Sequence, residues 1–248
     1  MVKGAAVVFS VTNFWETTNA DIEVAQGKAI ADACKAANVK FLIWSSLLDV
    51  AKLTNGRIAT VYHFDSKATI EQYIRDLGIE STFFMAGFYM TNLTPPEGSG
   101  GPISKSPNDG SYTLRLPFDA QKTYIPLFHA ADTGIYIAAL LLAPRASVLG
   151  KRWYAASQML TPDEMARDIH VATGSKAHFE EIPSSVAVSN YPEPVREEMA
   201  GNFELMRDPG YYGTDGKEGV ERMLDLIKKT DGLKAPTSFV DFIKEHLK

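Results

Sequence analysis

Short, unbroken apolar runs alternate with longer stretches in which apolar residues recur every three or four positions through the first third of the chain. Ala5-Ala6-Val7-Val8-Phe9-Ser10-Val11 shows no polar alternation and reads as a parallel strand covered on both faces. The polar-aromatic loop Val11-Thr12-Asn13-Phe14-Trp15-Glu16 follows. A helix is then predicted from about Asp21 to Ala37, with Ile22, Ala25, Ala29, Ile30 and Ala33 as its apolar stripe. Val39 to Trp44 reads as the next strand, ending in Ser45-Ser46. Gly56 to Thr60 leads into a second helix that carries Lys67 and stops at Asp76-Leu77-Gly78, with Gly78 as its cap. Ser81 to Met85 is a third strand. Strands alternating with helices predict an α/β fold with a parallel sheet built by right-handed crossovers.

Thr94 to Gly110 is rich in Gly, Pro and Ser and reads as a long surface loop. Two short strands are expected at Tyr112–Leu116 and Thr123–Leu127, and His129 to Gly134 enters the most apolar helix, which ends at Pro144 and is expected to pack between lobes. Arg152 to Ala156 reads as a strand. Thr161-Pro162-Asp163-Glu164 is a helix start, with a Thr cap, Pro at the first position and an acid three residues on. Lys176 to Ile182 is a further strand, and the remainder is helical, with Phe239, Phe242, Ile243 and Leu247 as the apolar face of the last helix. The expected division is a larger lobe of residues 1–86 and 129–144, and a smaller α+β subdomain of residues 87–128 and 145–248.

Composition narrows the function classes. The chain of 248 residues is 45% hydrophobic and 22% charged, enough apolar material for a sizeable core. Its net charge of −5 and its lack of a basic stripe argue against a duplex-DNA binder, so any action on transcription is expected to pass through another protein. The longest apolar run, Ile135 to Ala143, is too short to span a bilayer, and no charged-then-apolar leader opens the chain; a cytoplasmic or nuclear location is expected. The single cysteine, Cys34, excludes an intramolecular disulfide and reads as a core thiol. The five histidines show no metal-ligand spacing, so no metal is expected.

Candidate chemistry gathers at the carboxyl ends of the strands, where open α/β sheets place their ligands: Thr12, Asn13, Ser45, Ser46 and Asn92. Lys67 stands near the start of its helix, four residues after His63. That spacing is similar to the Tyr-x-x-x-Lys pair of short-chain dehydrogenases, in which the Lys holds the ribose and lowers the Tyr pKa. Here His63 occupies the tyrosine position, and Tyr62 is out of register by one residue, roughly 100° around a helix.

Together these stretches resemble the NmrA-like family, an atypical branch of the short-chain dehydrogenases. The resemblance rests on Val11 to Glu16, Gln26-Gly27-Lys28, Trp44-Ser45-Ser46-Leu47, His63 to Lys67, Phe88 to Leu93 and Asp132-Thr133-Gly134, in family order along essentially the whole chain. It implies a doubly wound NAD(P)-binding Rossmann fold with a smaller subdomain, and NADP(H) as cofactor. Thr12, Asn13, Lys67, Gly87, Phe88, Tyr89 and Asn92 are the implied cofactor contacts. His63, Tyr62 and Ser45 are the candidates for any catalytic role.

The departure lies at the front. Family members begin with a strand and a Gly-rich turn that cradles the pyrophosphate, but the first strand here resembles the family's fourth, and Gly98-Ser99-Gly100-Gly101 is followed by Pro102 instead of a helix. The chain is therefore expected to hold the C-terminal half of the fold, through an incomplete gene model or splice form, and to bind NADP(H) weakly or not at all. The uncovered Ala5–Val11 strand is expected to promote self-association. Two functions follow from the resemblance: an NADP(H)-responsive, catalytically inactive regulator acting on a partner such as a GATA-type transcription factor, or an NADPH-dependent reductase of the isoflavone-reductase-like kind. The missing tyrosine favours the regulator.

Overall fold

The computed structural model describes residues 2–94, 101–189 and 191–247. In chain order, strand β1 (Val7–Ser10) leads through a 3-10 turn at Phe14–Glu16 into helix α1 (Ala20–Ala36), then β2 (Phe41–Ser45), the single turn α2 (Val50–Leu53), α3 (Tyr62–Asp76) and β3 (Ser81–Ala86). The middle of the chain supplies β4 (Phe88–Tyr89), β5 (Ile103–Lys105), β6 (Tyr112–Leu116), β7 (Ile125–Phe128), α4 (Thr133–Leu142) and α5 (Arg145–Val148). Then come β8 (Arg152–Ala155), β9 (Gln158–Leu160), α6 (Pro162–Thr173), β10 (Ala177–Glu181), α7 (Ser184–Val188), α8 (Glu193–Arg207), α9 (Gly216–Lys229) and α10 (Phe239–His246).

The main sheet has the order β1-β2-β3-β8 and all its pairs are parallel, with Val7 opposite Phe41, Leu42 opposite Ser81 and Phe83 opposite Arg152. Parallel strands need helices on both faces, and the alternation of side chains shows which covers which. Leu42, Trp44 and Phe83 pack on Ala31 and Cys34 of α1 and on Ile70 and Ile74 of α3. Phe41, Ile43, Phe84 and Trp153 pack on Tyr136, Ile137 and Leu140 of α4 and on Met223 and Ile227 of α9. The α/β class expected from the strand-helix alternation is the observed one.

Two small sheets, β10-β6-β5 and β4-β7-β9, build the second lobe, with α6, α8 and α10 supplying Met165, Ile169, Phe203, Leu205, Phe242 and Ile243 to its core. The capping box at Thr161 is present as read: its hydroxyl accepts from the Glu164 backbone N–H, and the Glu164 carboxylate accepts from the Thr161 N–H at 2.8 Å.

Several expectations need correction. Residues 145–248 are not all in the smaller lobe, because β8 is the fourth strand of the main sheet and α9 packs on it. The α4 helix lies on the main sheet instead of between lobes. The presumed loop before Tyr112 contains β5, held antiparallel to β6, and β9 was not foreseen. Of the Gly98–Gly101 tract, residues 98–100 lie outside the described residues. On α1 the buried face is Glu23, Gly27, Ala31 and Cys34, whereas Ile22, Ala25, Ala29 and Ala33 are exposed. The stripe turned because Gly27 lets α1 approach α3 closely, where a Cβ would lie 2.4 Å from Ile70, and because Glu23 finds a buried counter-charge.

Candidate functional site

The loop after β1, the first turn of α1 and the inward face of α3 meet in one buried polar cluster. Lys67 sits on α3 and is 8% exposed. Its ammonium donates to the Thr12 carbonyl at 2.9 Å, to the Thr12 hydroxyl at 3.1 Å and to the Glu23 carboxylate. The Thr12 hydroxyl donates to the same Glu23 oxygen at 2.7 Å, and the Ser66 hydroxyl donates to the other one. A lysine has three hydrogens to give, and here all three have acceptors within the protein. Burial lowers the Lys67 pKa below the usual lysine range, against the opposing pull of Glu23. Thr12 and Lys67 are thus brought together as the sequence implied, but they face each other and Glu23, which sequence reasoning missed.

His63 lies in the first turn of α3. Its Nδ1 is 2.6 Å from the buried Glu198 carboxylate of α8, which also accepts the His63 backbone N–H at 2.8 Å. Its ring is surrounded by those of Phe14 and Trp15, tilted against it, and of Phe64, edge-on, at centroid distances of 4.8 to 5.9 Å. Tyr62, its neighbour, lies at the surface at 45% exposure. Ser45 is buried at the end of β2, and the next hydroxyl, Ser46, donates to Glu71 at 2.6 Å. Arg75 and Arg152 close that second cluster on Glu71, both at 2.9 Å.

The segment after β3 is built for packing. A Cβ on Gly87 would lie 2.5 Å from the Pro126 carbonyl oxygen and 3.0 Å from the Tyr212 hydroxyl. Phe88 and Tyr89 form β4 against β7. Asn13 and Asn92 are exposed. The crevice beyond β3 and β8 is filled by two tyrosines that sequence reasoning also missed: Tyr211 donates to the Ala86 carbonyl at 3.2 Å, and Tyr212 donates to those of Met85 and Ala155 at 3.0 and 3.2 Å. Burial raises both phenols well above their ordinary range. The one available signal for Glu23 was an acid in register with Gly27, Ala31 and Cys34, a small-residue face that fits a close helix pair. Glu198, Tyr211 and Tyr212 are remote in sequence and gave none.

The N-terminus of α1 is not a phosphate cradle. A pyrophosphate needs free N–H groups and positive potential at a helix N-terminus. The N-terminus of α1, at the carboxyl end of β1, is capped by the Asn19 side chain and carries Asp21 and Glu23 in its first turn. Among the described residues the one buried lysine, Lys67, has no donor left. Among the described residues no cluster of three or more His, Cys, Asp or Glu could hold a metal ion, and no helix is long and apolar enough to cross a membrane.

The NmrA-like family profile matches residues 1–243. The chain is 30% identical over 232 residues to the NmrA-like family domain-containing oxidoreductase lnaB of Aspergillus flavus, covering 88% of this chain and 67% of that protein. It is 28% identical over 200 residues to the nitrogen metabolite repression protein nmrA of Emericella nidulans, covering 80% and 55%. Its fold superposes on the crystal structure of NmrA, a negative transcriptional regulator, in complex with NADP, with a TM-score of 0.77 and 23% identity over 98% of this chain and 74% of that one. It also superposes on the Citrobacter sp. triphenylmethane reductase complexed with NADP(H), with a TM-score of 0.64 and 16% identity over 99% and 78%. The chain thus spans 55 to 67% of these two curated relatives. The match over nearly its whole length, on the main-sheet architecture described above, places this chain in the NmrA-like family, among relatives named both as repression proteins and as oxidoreductases.

Proposed function

We propose that this chain is a catalytically silent, regulatory member of the family that acts by binding a protein partner in the cytoplasm or nucleus. The supporting observation is the residue one turn before Lys67. A general acid must stand within hydrogen-bond reach of a substrate, and His63 is instead committed to Glu198 at 2.6 Å, while Tyr62 lies at the surface. The regulatory relatives, nmrA among them, favour the same reading. A GATA-type transcription factor is the partner that the family resemblance suggests; a GATA-type zinc-finger domain titrated onto the immobilised chain should bind, and no binding at tens of micromolar would refute that partner.

The NADP(H) response expected of the family is weak or absent in these 248 residues. Charge-assisted hydrogen bonds contribute about 1.5–3 kcal/mol each, and each 1.4 kcal/mol is about tenfold in affinity. Losing even two phosphate contacts weakens binding by about a hundredfold or more on that arithmetic. Calorimetric titration of NADPH should give no saturable heat, and a micromolar dissociation constant would contradict this. Steady NADPH oxidation with a small carbonyl substrate, abolished by Tyr62→Phe, would replace the regulator with the reductase reading that the oxidoreductase-named relatives represent.

A further inference from the structure

We propose that the open edge of β10 captures an extended peptide segment of another protein, apolar in its middle and basic at one end, as an added strand of the second lobe. Among the described residues β10 is an end strand, hydrogen-bonded only to β6, and it belongs to a different sheet from β1. The Lys176 carbonyl accepts from the Tyr112 N–H at 2.8 Å, and the Ile182 N–H donates to the Leu116 carbonyl at 3.2 Å, both on the β6 side. Alternation along the strand then turns the N–H and C=O groups of Ala177, Phe179 and Glu181 outward. A cleft of about 640 Å³ lies beside them, lined by Tyr124, Asp163, Ala166, Arg167, Ala177 and Phe179. It shares no residue with the Lys67 and His63 clusters, so peptide capture here does not depend on whether the chain is catalytically silent.

Backbone pairing gives an added strand its affinity, and the side chains around it select its sequence. Ala177 and Phe179 pack on the core of the lobe, and Ala166 and the half-exposed Tyr124 continue the apolar strip, which suits a β-branched residue in the middle of the peptide. Charge sets the ends. Lys176 precedes the strand, and Glu180 and Glu181 close it. Because α6 turns back into β10 at Gly174, the acids of its first turn, Asp163 and Glu164, stand toward the Glu181 end. Arg115 pairs with Glu180 at 2.8 Å and Arg167 lies 3.9 Å from Glu164, but among the described residues neither Asp163 nor Glu181 has an ion-pair partner. A lysine or arginine of the peptide at that end supplies one. A strand of five residues that ends in two acids is a poor template for open-ended stacking. A second copy is a poorer occupant than a peptide, since each β10 carries its own α6 along the cleft and the two helices would compete for the same space.

Fluorescence anisotropy on the 248-residue chain, with fluorescein-labelled Lys-Arg-Val-Thr-Val and its reverse, each matched to the five residues of β10, tests this. One of the two should bind with a dissociation constant of about 100 µM or tighter, and which one binds fixes the direction of the added strand. The same peptides with Asp-Glu in place of Lys-Arg should not bind. Amide exchange read by NMR should slow at Ala177, Phe179 and Glu181 when the peptide is added, and stay as it was at His178 and Glu180, which face β6. Ala177→Pro removes an outward N–H, leaves the β6 ladder whole and should weaken binding about tenfold. Glu181→Lys, at an exposed position, should weaken it about fivefold at an unchanged melting temperature. Glu221→Lys, the same charge change on α9, should alter nothing. No binding of either peptide at about 1 mM, binding that leaves the three outward amides exchanging as before, an affinity indifferent to Glu181→Lys, or protection that arises from raising the protein concentration alone, the mark of a second copy, would each overturn the proposal.

Discussion

Lys67→Met should lower the stability of this chain by about 3–5 kcal/mol, and the double variant Glu23→Gln/Lys67→Met should recover most of that loss. Removing one partner of a buried ion pair leaves an uncompensated charge, whereas removing both is often neutral or stabilising. Glu23 is 1% exposed, and without Lys67 its carboxylate keeps only the hydroxyls of Thr12 and Ser66. For a chain of this size the single variant should melt about 6–20 °C lower. A lysine that served mainly to face a ligand would give a near-neutral single variant, so a change under about 1 kcal/mol would return Lys67 to the ligand-facing role that the sequence implied. The alkaline limb gives a second reading of the same pair. Because burial lowers the folded Lys67 pKa below 10.5, the unfolded chain binds more protons between the two values, and stability from this group rises with pH over that window. That rise should be present in the wild type and absent from Lys67→Met.

Gly87→Ala should cost about 2–4 kcal/mol, read as a lower denaturant midpoint at unchanged slope. Overpacking a filled site costs about 1–3 kcal/mol, and here the obstacle includes backbone, the Pro126 carbonyl at 2.5 Å and the Ala155 carbonyl at 3.2 Å. The Tyr212 hydroxyl at 3.0 Å would also be pushed off the hydrogen bond it shares between two carbonyl acceptors, a loss of about 1 kcal/mol. Gly134→Ala in α4 is the control of opposite sign. Its added Cβ meets nothing within 4 Å, so the better helix propensity of Ala should raise stability by about 0.5–1 kcal/mol. Equal small effects at both glycines would mean that Gly87 is held for another reason, such as access for a ligand.

The sequence disclosed the parts of this fold that depend on local pattern. Unbroken apolar runs located β1, β2 and β3, and cap chemistry located the start of α6 at Thr161 and the end of α3 near Gly78. What stayed hidden depends on pairing between remote residues. Apolar periodicity assigned α1 the wrong inward face, because Ile22 and Ala25 outscore Glu23 in hydropathy, and only the position of Lys67 44 residues away makes burying an acid tolerable. The same holds for the site. Spacing located His63 and Lys67, but what those two side chains can do was decided by Glu198 and Glu23, which no spacing rule connects to them. The lobe boundary failed for a related reason, since β8 enters the main sheet from a stretch whose neighbours belong elsewhere.

The two tyrosines that fill the crevice beyond β3 also impose an order of events on synthesis. Tyr212 reaches the Met85 carbonyl across a separation of 127 residues, and β3 gains its outer neighbour only when β8 has been made. At about 5–20 residues per second, roughly 6–25 s pass between the emergence of Met85 and that of Tyr212. Contacts so distant in sequence also slow the search once the chain is free. For that interval the β3 flank of the nascent sheet is unpaired, a strand edge open to wrong partners until β8 arrives.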